Sequence, residues 1–342
     1  MRRWAAVSAS LILSCFVFAG SFKNTILSYG DRNISRTIPV MGTFLTIKVQ
    51  SDDRGFGKHS DIVDEAFELA RSLSAILNVY DPGSELNRLN IEKNMVVSKD
   101  LEDVLLCALN LGQSTGGALD ITVAPLMKKV GFYDDMPGEL YERIPDKTDG
   151  IGLEYVNILH GRKIELADRH TWLDLSAVAK GYIVDRLAGF LEANGIRNYL
   201  VNAGGEIYCA EKKGPGKWKI GIRDPRSRSV LGILYLEGSA VATSGDYENF
   251  IVMKDGAVSS HIIDPNERKV RKRRYSSVTV ISSRCAVADG LSTAFMVLGP
   301  ERATSMQDVV KNNGIIFVTE GVNGPELRFA GEARKYLKEE RK

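Results

Sequence analysis

Asp289 and Thr293 stand four residues apart in Ala288-Asp289-Gly290-Leu291-Ser292-Thr293-Ala294, inside an apolar stretch that runs to Leu298. On a helix, that spacing projects both side-chain oxygens from one face. Far upstream, Asp174-Leu175-Ser176-Ala177-Val178-Ala179-Lys180-Gly181-Tyr182 brings a carboxylate, a hydroxyl and an ammonium close together. The two segments suit a magnesium ion and a phosphate-bearing ligand held between them. Magnesium takes hard oxygen ligands in near-octahedral array and usually keeps places for water and substrate phosphate. Diphosphate chemistry is the expectation.

Lys180 carries part of that reading. A cation in the first turns of a helix opposes the macrodipole unless an anion lies nearby. A bound phosphate is one such anion; Asp174 and Asp185 are the alternatives within the chain. Taken singly, the neighbouring residues have plain structural readings: Asp174 as a helix cap, Gly181 as a packing glycine, Gly204-Gly205 as a turn. His261, one of four histidines, lies in Ser259-Ser260-His261-Ile262-Ile263-Asp264-Pro265, where a strand runs into a turn. Most histidines do no chemistry, yet a base that takes a hydroxyl proton near neutral pH is most often histidine.

The elements that must position these groups follow from periodicity. Leu45, Ile47 and Val49 alternate with Thr46 and Lys48, the pattern of a strand with one buried face. Ser60 is the expected cap of a helix with Ile62, Ala66, Leu69, Leu73 and Ile76 on one stripe and Asp61, Asp64 and Glu65 in its first turn. A second helix is predicted over Lys99 to Gln113, capped by Ser98 and stopped by Gly116-Gly117. A third falls between Trp172 and Gly195, with Ile183, Leu187 and Leu191 as its core face. Short strands then follow, including 198–201, 218–223, 231–236 and 278–282, separated by glycine and proline turns. Strands grouped this way predict an α+β architecture with largely antiparallel sheet.

The 342 residues are 44% apolar, enough for one or two domains with a developed core. Lysine plus arginine number 45 against 43 aspartate plus glutamate, which gives no electrostatic reason to expect nucleic acid. The basic run Arg268-Lys269-Val270-Arg271-Lys272-Arg273-Arg274 reads as a solvated hairpin tip or loop. Cys107, Cys209 and Cys285 lack pairing motifs and are expected as buried thiols.

At the N-terminus, Met1-Arg2-Arg3 precedes an uncharged run from Trp4 to Gly20, the pattern of a secretion signal. Within it, Leu11-Ile12-Leu13-Ser14-Cys15 resembles a bacterial lipobox; cleavage after Ala19 or retention as an anchor are the alternatives. Residues 1–20 are thus read as a signal peptide or lipoprotein leader, 21–33 as a connector, and 34–342 as the folded domain.

Several segments recur in one order: Met41-Gly42-Thr43, Tyr80-Asp81-Pro82-Gly83-Ser84-Glu85-Leu86-Asn87, Gly117-Ala118-Leu119-Asp120-Ile121-Thr122, the 174–185 segment, Asn202-Ala203-Gly204-Gly205-Glu206, Thr243-Ser244-Gly245-Asp246-Tyr247, Ser260 to Pro265 and Ala288 to Ala294. With them the chain resembles the ApbE family of exported FAD:protein FMN transferases over about Ile38 to Gly299. The resemblance implies an α+β fold of two similar subdomains with an FAD cleft between them. It further implies that Met41, Tyr80 and Ala118-Leu119-Asp120 contact FAD, with Tyr80 stacked on a ligand ring, and that Asp174, Lys180 and the backbone at Ile263 complete the pocket. Magnesium would be held by the carbonyl of Ala177, by Asp289 and by Thr293. The implied reaction moves FMN from FAD to a threonine or serine hydroxyl of an acceptor protein and releases AMP, with His261 receiving the hydroxyl proton. The expected acceptors are subunits of membrane redox complexes, and the expected location is the periplasm or outer face of the cell membrane. An FAD pyrophosphatase releasing FMN and AMP, or a flavin-binding lipoprotein without turnover, are the rival readings.

Overall fold

The computed structural model describes residues 33–51, 56–133, 135–210, 216–227, 229–245, 250–252, 258–260, 262–270, 275–322 and 324–337. The leader with Cys15, the connector up to residue 32, His261 and Arg271 to Arg274 lie outside the described residues.

An eight-stranded antiparallel sheet is the frame. Its strands are β1 (Asn33–Val40), β2 (Thr43–Gln50), β3 (Tyr199–Ala203), β4 (Glu206–Cys209), β5 (Ser239–Gly245), β6 (Tyr275–Ser282), β7 (Gly314–Gly321) and β8 (Gly324–Gly331), neighbours in space in the order of the chain. The sheet is therefore a meander interrupted by excursions. Between β2 and β3 the chain builds α1 (Phe56–Leu77), α2 (Lys99–Ser114) and α3 (Ala179–Ala193); between β6 and β7 it builds α4 (Cys285–Ser305). The result is the α+β architecture expected from the sequence.

Side-chain alternation along the strands feeds two cores on opposite faces. Leu45, Ile47, Val201, Ala242 and Val280 face the helices. Leu200, Val241, Ile281 and Ile316 face the other way, under the hairpin Trp218–Arg223 and Val230–Leu236. Residue pairing fixes this register, with Leu45 opposite Ala203 and Val49 opposite Tyr199.

The helix ends depart from the sequence reading in two places. α1 begins at Phe56, so Ser60 is not its cap; the Ser60 hydroxyl instead accepts from Arg36 Nη2 at 2.5 Å, tying the helix to β1. Asp61, Asp64 and Glu65 consequently lie beyond the first turn, and Asp64 pairs with Arg36. α3 begins only at Ala179, so Asp174 does not cap it. For α2 the expected cap is found: Ser98 Oγ accepts from the Leu101 N–H at 3.2 Å. Its exit also follows the sequence, with Gly116 and Gly117 at φ 61° and 79° and the Gly117 N–H donating to the Gly112 carbonyl at 2.8 Å. The basic run starts at a turn rather than forming a tip alone: Arg268 has φ 52°, and Lys269–Val270 pair with Ile263–Asp264.

α4 is buried on every side over its first turns, from Cys285 and Ala286 through Ala288, Asp289, Gly290, Leu291 and Ser292. A helix apolar all round belongs inside a core. It packs on β5, β6, α2 and α3 and is broken at Gly299, φ 76°, just before Pro300. Two glycines let its neighbours close in. A Cβ on Gly181 of α3 would fall 2.5 Å from the Cys285 carbonyl oxygen, and one on Gly290 would fall 2.6 Å from a Leu111 methyl.

Candidate active site

The Gly181 crossing sets the deepest part of the site. Asp185, one turn further along α3, accepts the N–H groups of Cys285 at 2.6 Å and Ala286 at 3.0 Å, so α3 supplies the cap that α4 lacks in its own sequence. Burial nevertheless pushes the Asp185 carboxyl above its ordinary range. With the start of α4 pinned, the Asp289 carboxylate faces α3 and accepts from the Gly181 N–H at 3.0 Å through Oδ2. Asp289 is 3% exposed. Burial raises its pKa to about 8 against the opposing pull of Lys180, and Glu206 adds to the rise.

Thr293 lies one turn beyond Asp289. Its hydroxyl is 3.2 Å from Ser244 Oγ on β5, which also meets Ser292 Oγ at 2.7 Å. The strand thus orients the helix face that carries both oxygens.

Lys180 is the second residue of α3, and its anionic partner is neither Asp174 nor Asp185. Lys180 Nζ donates to Oε1 of Glu206 at 2.6 Å. Glu206 is the first residue of β4, delivered there by the turn at Gly204 and Gly205, φ 74° and 117°. A β-carbon on Gly204 would lie 2.4 Å from Thr43 Oγ1, so glycine also lets this turn pack on the β1–β2 hairpin. The other Glu206 oxygen, Oε2, is buried without a hydrogen-bond partner among the described residues.

Two loops of similar construction form the facing wall. Asp174 Oδ1 accepts from the Ser176 N–H at 2.7 Å and its Oγ at 2.5 Å. Asp120 Oδ1 likewise accepts from the Thr122 N–H at 2.8 Å and its Oγ1 at 2.6 Å. The loops run side by side, joined by the Asp174 N–H to the Ile121 carbonyl at 2.8 Å and by the parallel bridge of Val123 with Trp172. The buried Tyr133 hydroxyl donates to Asp174 Oδ2. Asp120 is held above the usual carboxylate range by burial. Over the top, Asn266 Nδ2 donates to the Gly116 carbonyl at 3.1 Å and so docks the Ile263–Val270 hairpin on the loop that leads to Ala118.

These walls enclose a cavity of about 220 Å³ whose lining includes Ala118, Leu119, Asp120, Asp174, Ala177, Lys180, Ile263, Asp289 and Thr293. Met41 and Tyr80 do not line it. They line an adjoining cavity of about 290 Å³, and Ser176 and Lys180 border both. Tyr80 is placed by Asn87, whose Nδ2 donates to the Val79 and Asp81 carbonyls at 2.8 Å each, and by an edge-on contact with Tyr133, ring centroids 5.9 Å apart. Burial raises the Tyr80 phenol well above its usual range. His261 lies outside the described residues; the next residue, Ile262, lines the cavity of about 220 Å³ with Asp289 and Thr293.

Three contributors had no role assigned from sequence. Glu206 and Ser244 stand inside segments singled out for their order, but neither residue type there suggested a partner. Tyr133 sits outside them, and its bond to Asp174 spans 41 positions, a contact that only the fold reveals. Among the described residues the expected cation ligands, the Asp289 carboxylate, the Thr293 hydroxyl and the Ala177 carbonyl, are all oxygens. That donor set fits a hard divalent cation.

The ApbE family model matches residues 41–316. A Vibrio cholerae protein named FAD:protein FMN transferase is 33% identical over 317 residues, covering 90% of this chain and 91% of its own. An Escherichia coli K12 protein of the same name is 31% identical over 288 residues, with 80% of each chain covered. Among solved structures, the flavin transferase ApbE of Vibrio cholerae superposes with a TM-score of 0.73 at 30% identity, covering 90% of this chain and 99% of that one. The Thermotoga maritima ApbE protein gives 0.75 at 27% identity, covering 90% and 100%.

Proposed function

The chain belongs to the ApbE family and is an FAD:protein FMN transferase, and we propose that it joins FMN to a threonine or serine hydroxyl of its acceptor in a magnesium-dependent reaction that releases AMP. The observation that carries this reading is the convergence of Ala177, Asp289 and Thr293 with Lys180 and Asp174 on one cavity.

In the proposed reaction the acceptor hydroxyl oxygen forms a bond to the FMN phosphorus of FAD. The bond from that phosphorus to the bridging oxygen breaks, and AMP leaves with the bridging oxygen. The hydroxyl proton passes to His261, which immediately precedes the cavity residue Ile262. Asp289, Thr293 and the Ala177 carbonyl would hold magnesium, which when bound offsets charge on the diphosphate. Lys180, fixed by Glu206, sets a cation at the junction of the two cavities, where a ligand extending through both would place its middle. A preorganised cation there stabilises charge that develops in the transition state without reorganising. Tyr80 and Met41 line the adjoining cavity and Ala118 to Asp120 line the one with Asp289, so the motif residues assigned to FAD divide between its two ends. The enclosed walls hold the dinucleotide still while the acceptor brings its hydroxyl into line.

The leader read in residues 1–20 supports an exported, membrane-attached enzyme, and the family resemblance implies membrane redox-complex subunits as its acceptors. AMP release from FAD in the presence of an acceptor domain, followed with and without chelator, tests the reaction. AMP formed at the same rate with magnesium removed would contradict the metal dependence.

A further inference from the structure

Glu206 has two carboxylate oxygens in different situations. Oε1 holds Lys180 at 2.6 Å. Oε2 is buried and without a hydrogen-bond partner, and the side chain as a whole is only 5% exposed. A charged acceptor left unpaired in a protein interior is unfavourable. Such groups in native structures call for an explanation, and a missing ligand is one. Glu206 lines the same cavity as Asp289 and Thr293, so a ligand in that cavity can reach it. No donor among the described residues meets that oxygen, and a ligand in the cavity can supply one.

We propose that Glu206 is a ligand-binding residue whose Oε2 accepts a hydrogen bond from a hydroxyl of FAD flanking the diphosphate, on the ribityl chain or on the adenosine ribose. This rests on the FMN transferase reading above. The position argues for a hydroxyl. Lys180 is placed for the diphosphate, and on either side of a dinucleotide diphosphate the nearest donors are sugar or ribityl hydroxyls. The diphosphate itself offers only acceptors, which a carboxylate repels. One side chain would thus serve two adjacent parts of the ligand, fixing the ammonium for the phosphates through Oε1 and receiving the hydroxyl through Oε2.

The test is a cycle of protein and ligand changes read as equilibrium dissociation constants in magnesium buffer. FAD is compared with an analogue whose adenosine lacks the ribose hydroxyls and with one whose ribityl chain is replaced by an unsubstituted alkyl chain. The wild-type chain is expected to bind one analogue about 10- to 100-fold more weakly than FAD, the range for a hydrogen bond to a charged group. Glu206→Ala is expected to lose at least that factor for FAD, since Lys180 also loses its Glu206 contact, and to bind FAD and that analogue alike. The analogue affected tells which hydroxyl is used. If Glu206→Ala weakens FAD and both analogues by one common factor, Glu206 acts only through Lys180 and the proposal fails. The proposal also fails if the wild type binds both analogues as tightly as FAD, a result that needs no variant to fold. Glu206→Gln leaves an oxygen for Lys180 but no charged acceptor at Oε2, so full recovery of FAD affinity by it would count against the hydroxyl contact. A wild-type chain that binds no FAD would instead sink the transferase reading, and this proposal with it.

Discussion

The Gly181 N–H of α3 donates to Asp289 Oδ2 of α4 at 3.0 Å, across a helix crossing too close for a side chain at position 181. A β-carbon there would fall 2.5 Å from the Cys285 carbonyl oxygen and 2.8 Å from Ala286 Cα. Backbone cannot yield as a flexible side chain can, so Gly181→Ala must push the helices apart. The expected loss of stability is about 1–3 kcal/mol, as for overpacked cores, with at least a tenfold loss of FMN transfer as Asp289 and Thr293 on α4 move together away from Lys180 on α3. Denaturant midpoints and transfer rates of the variant check both; an unchanged midpoint would refute the close crossing.

Asp289 carries a pH signature. Burial pushes its carboxyl up to about 8 in the folded chain, well above the ordinary carboxylate range. The folded state therefore keeps a proton that the unfolded chain releases, and in the metal-free protein this contribution to stability is full below about pH 4 and is lost as pH rises to about 8. Asp289→Asn should remove that dependence, so the difference between wild type and variant in denaturant midpoint should shrink at low pH and widen in the variant's favour toward pH 8. Magnesium needs the carboxylate, so its affinity for the wild type should rise over the same window. Parallel stability curves for the two proteins would contradict this.

Lys180→Met would leave Glu206 with no partner on either oxygen. Lys180 Nζ and Glu206 Oε1 are 2.6 Å apart, with side chains 30% and 5% exposed. Because the lysine reaches solvent, the expected cost of about 1–3 kcal/mol lies below that of breaking a fully buried pair. Lys180→Met with Glu206→Gln should regain part of that stability but not FAD affinity, since the cation at the cavity junction stays absent. Thermal melts and flavin-fluorescence titrations separate the two effects.

Tyr133→Phe removes the hydroxyl that donates to Asp174 Oδ2 while Ser176 still serves Oδ1. A hydrogen bond to a charged group is worth about 1.5–3 kcal/mol. A stability loss in that range and weaker FAD binding are expected, because the Asp174 loop lines the cavity and Tyr80 leans on the Tyr133 ring. Unaltered binding would show that the loop is held by Ser176 alone.

Local chemistry made much of this fold legible. The alternation of Leu45, Ile47 and Val49 matches the observed buried face, and Ser98 and Gly116-Gly117 bound α2 as their types require. The four-residue spacing of Asp289 and Thr293 does put both on one cavity. The failures share a cause. Ser60 resembles a cap, but in the fold its hydroxyl is taken by Arg36, and the helix begins earlier. Asp174 and Asp185 are the acids that sequence places near Lys180 as alternatives to a bound phosphate, whereas its partner within the chain comes from β4, 26 positions away, through the strand order of the sheet. Asp185 is drawn off to cap α4. Which acid meets which cation is decided by tertiary packing, and no local pattern encodes it.

The central claim is transfer of FMN to a protein hydroxyl, and intact-mass spectrometry of an acceptor tests it most directly. A redox-subunit domain with a candidate threonine is incubated with the leader-free protein, FAD and magnesium, alongside the same domain with that threonine changed to valine. The account predicts an FMN adduct on the threonine form only, matched in amount by AMP and abolished by chelator. AMP without an adduct on any acceptor domain would mean hydrolysis, and bound FAD with neither product would mean a flavin-binding protein; either result would contradict it.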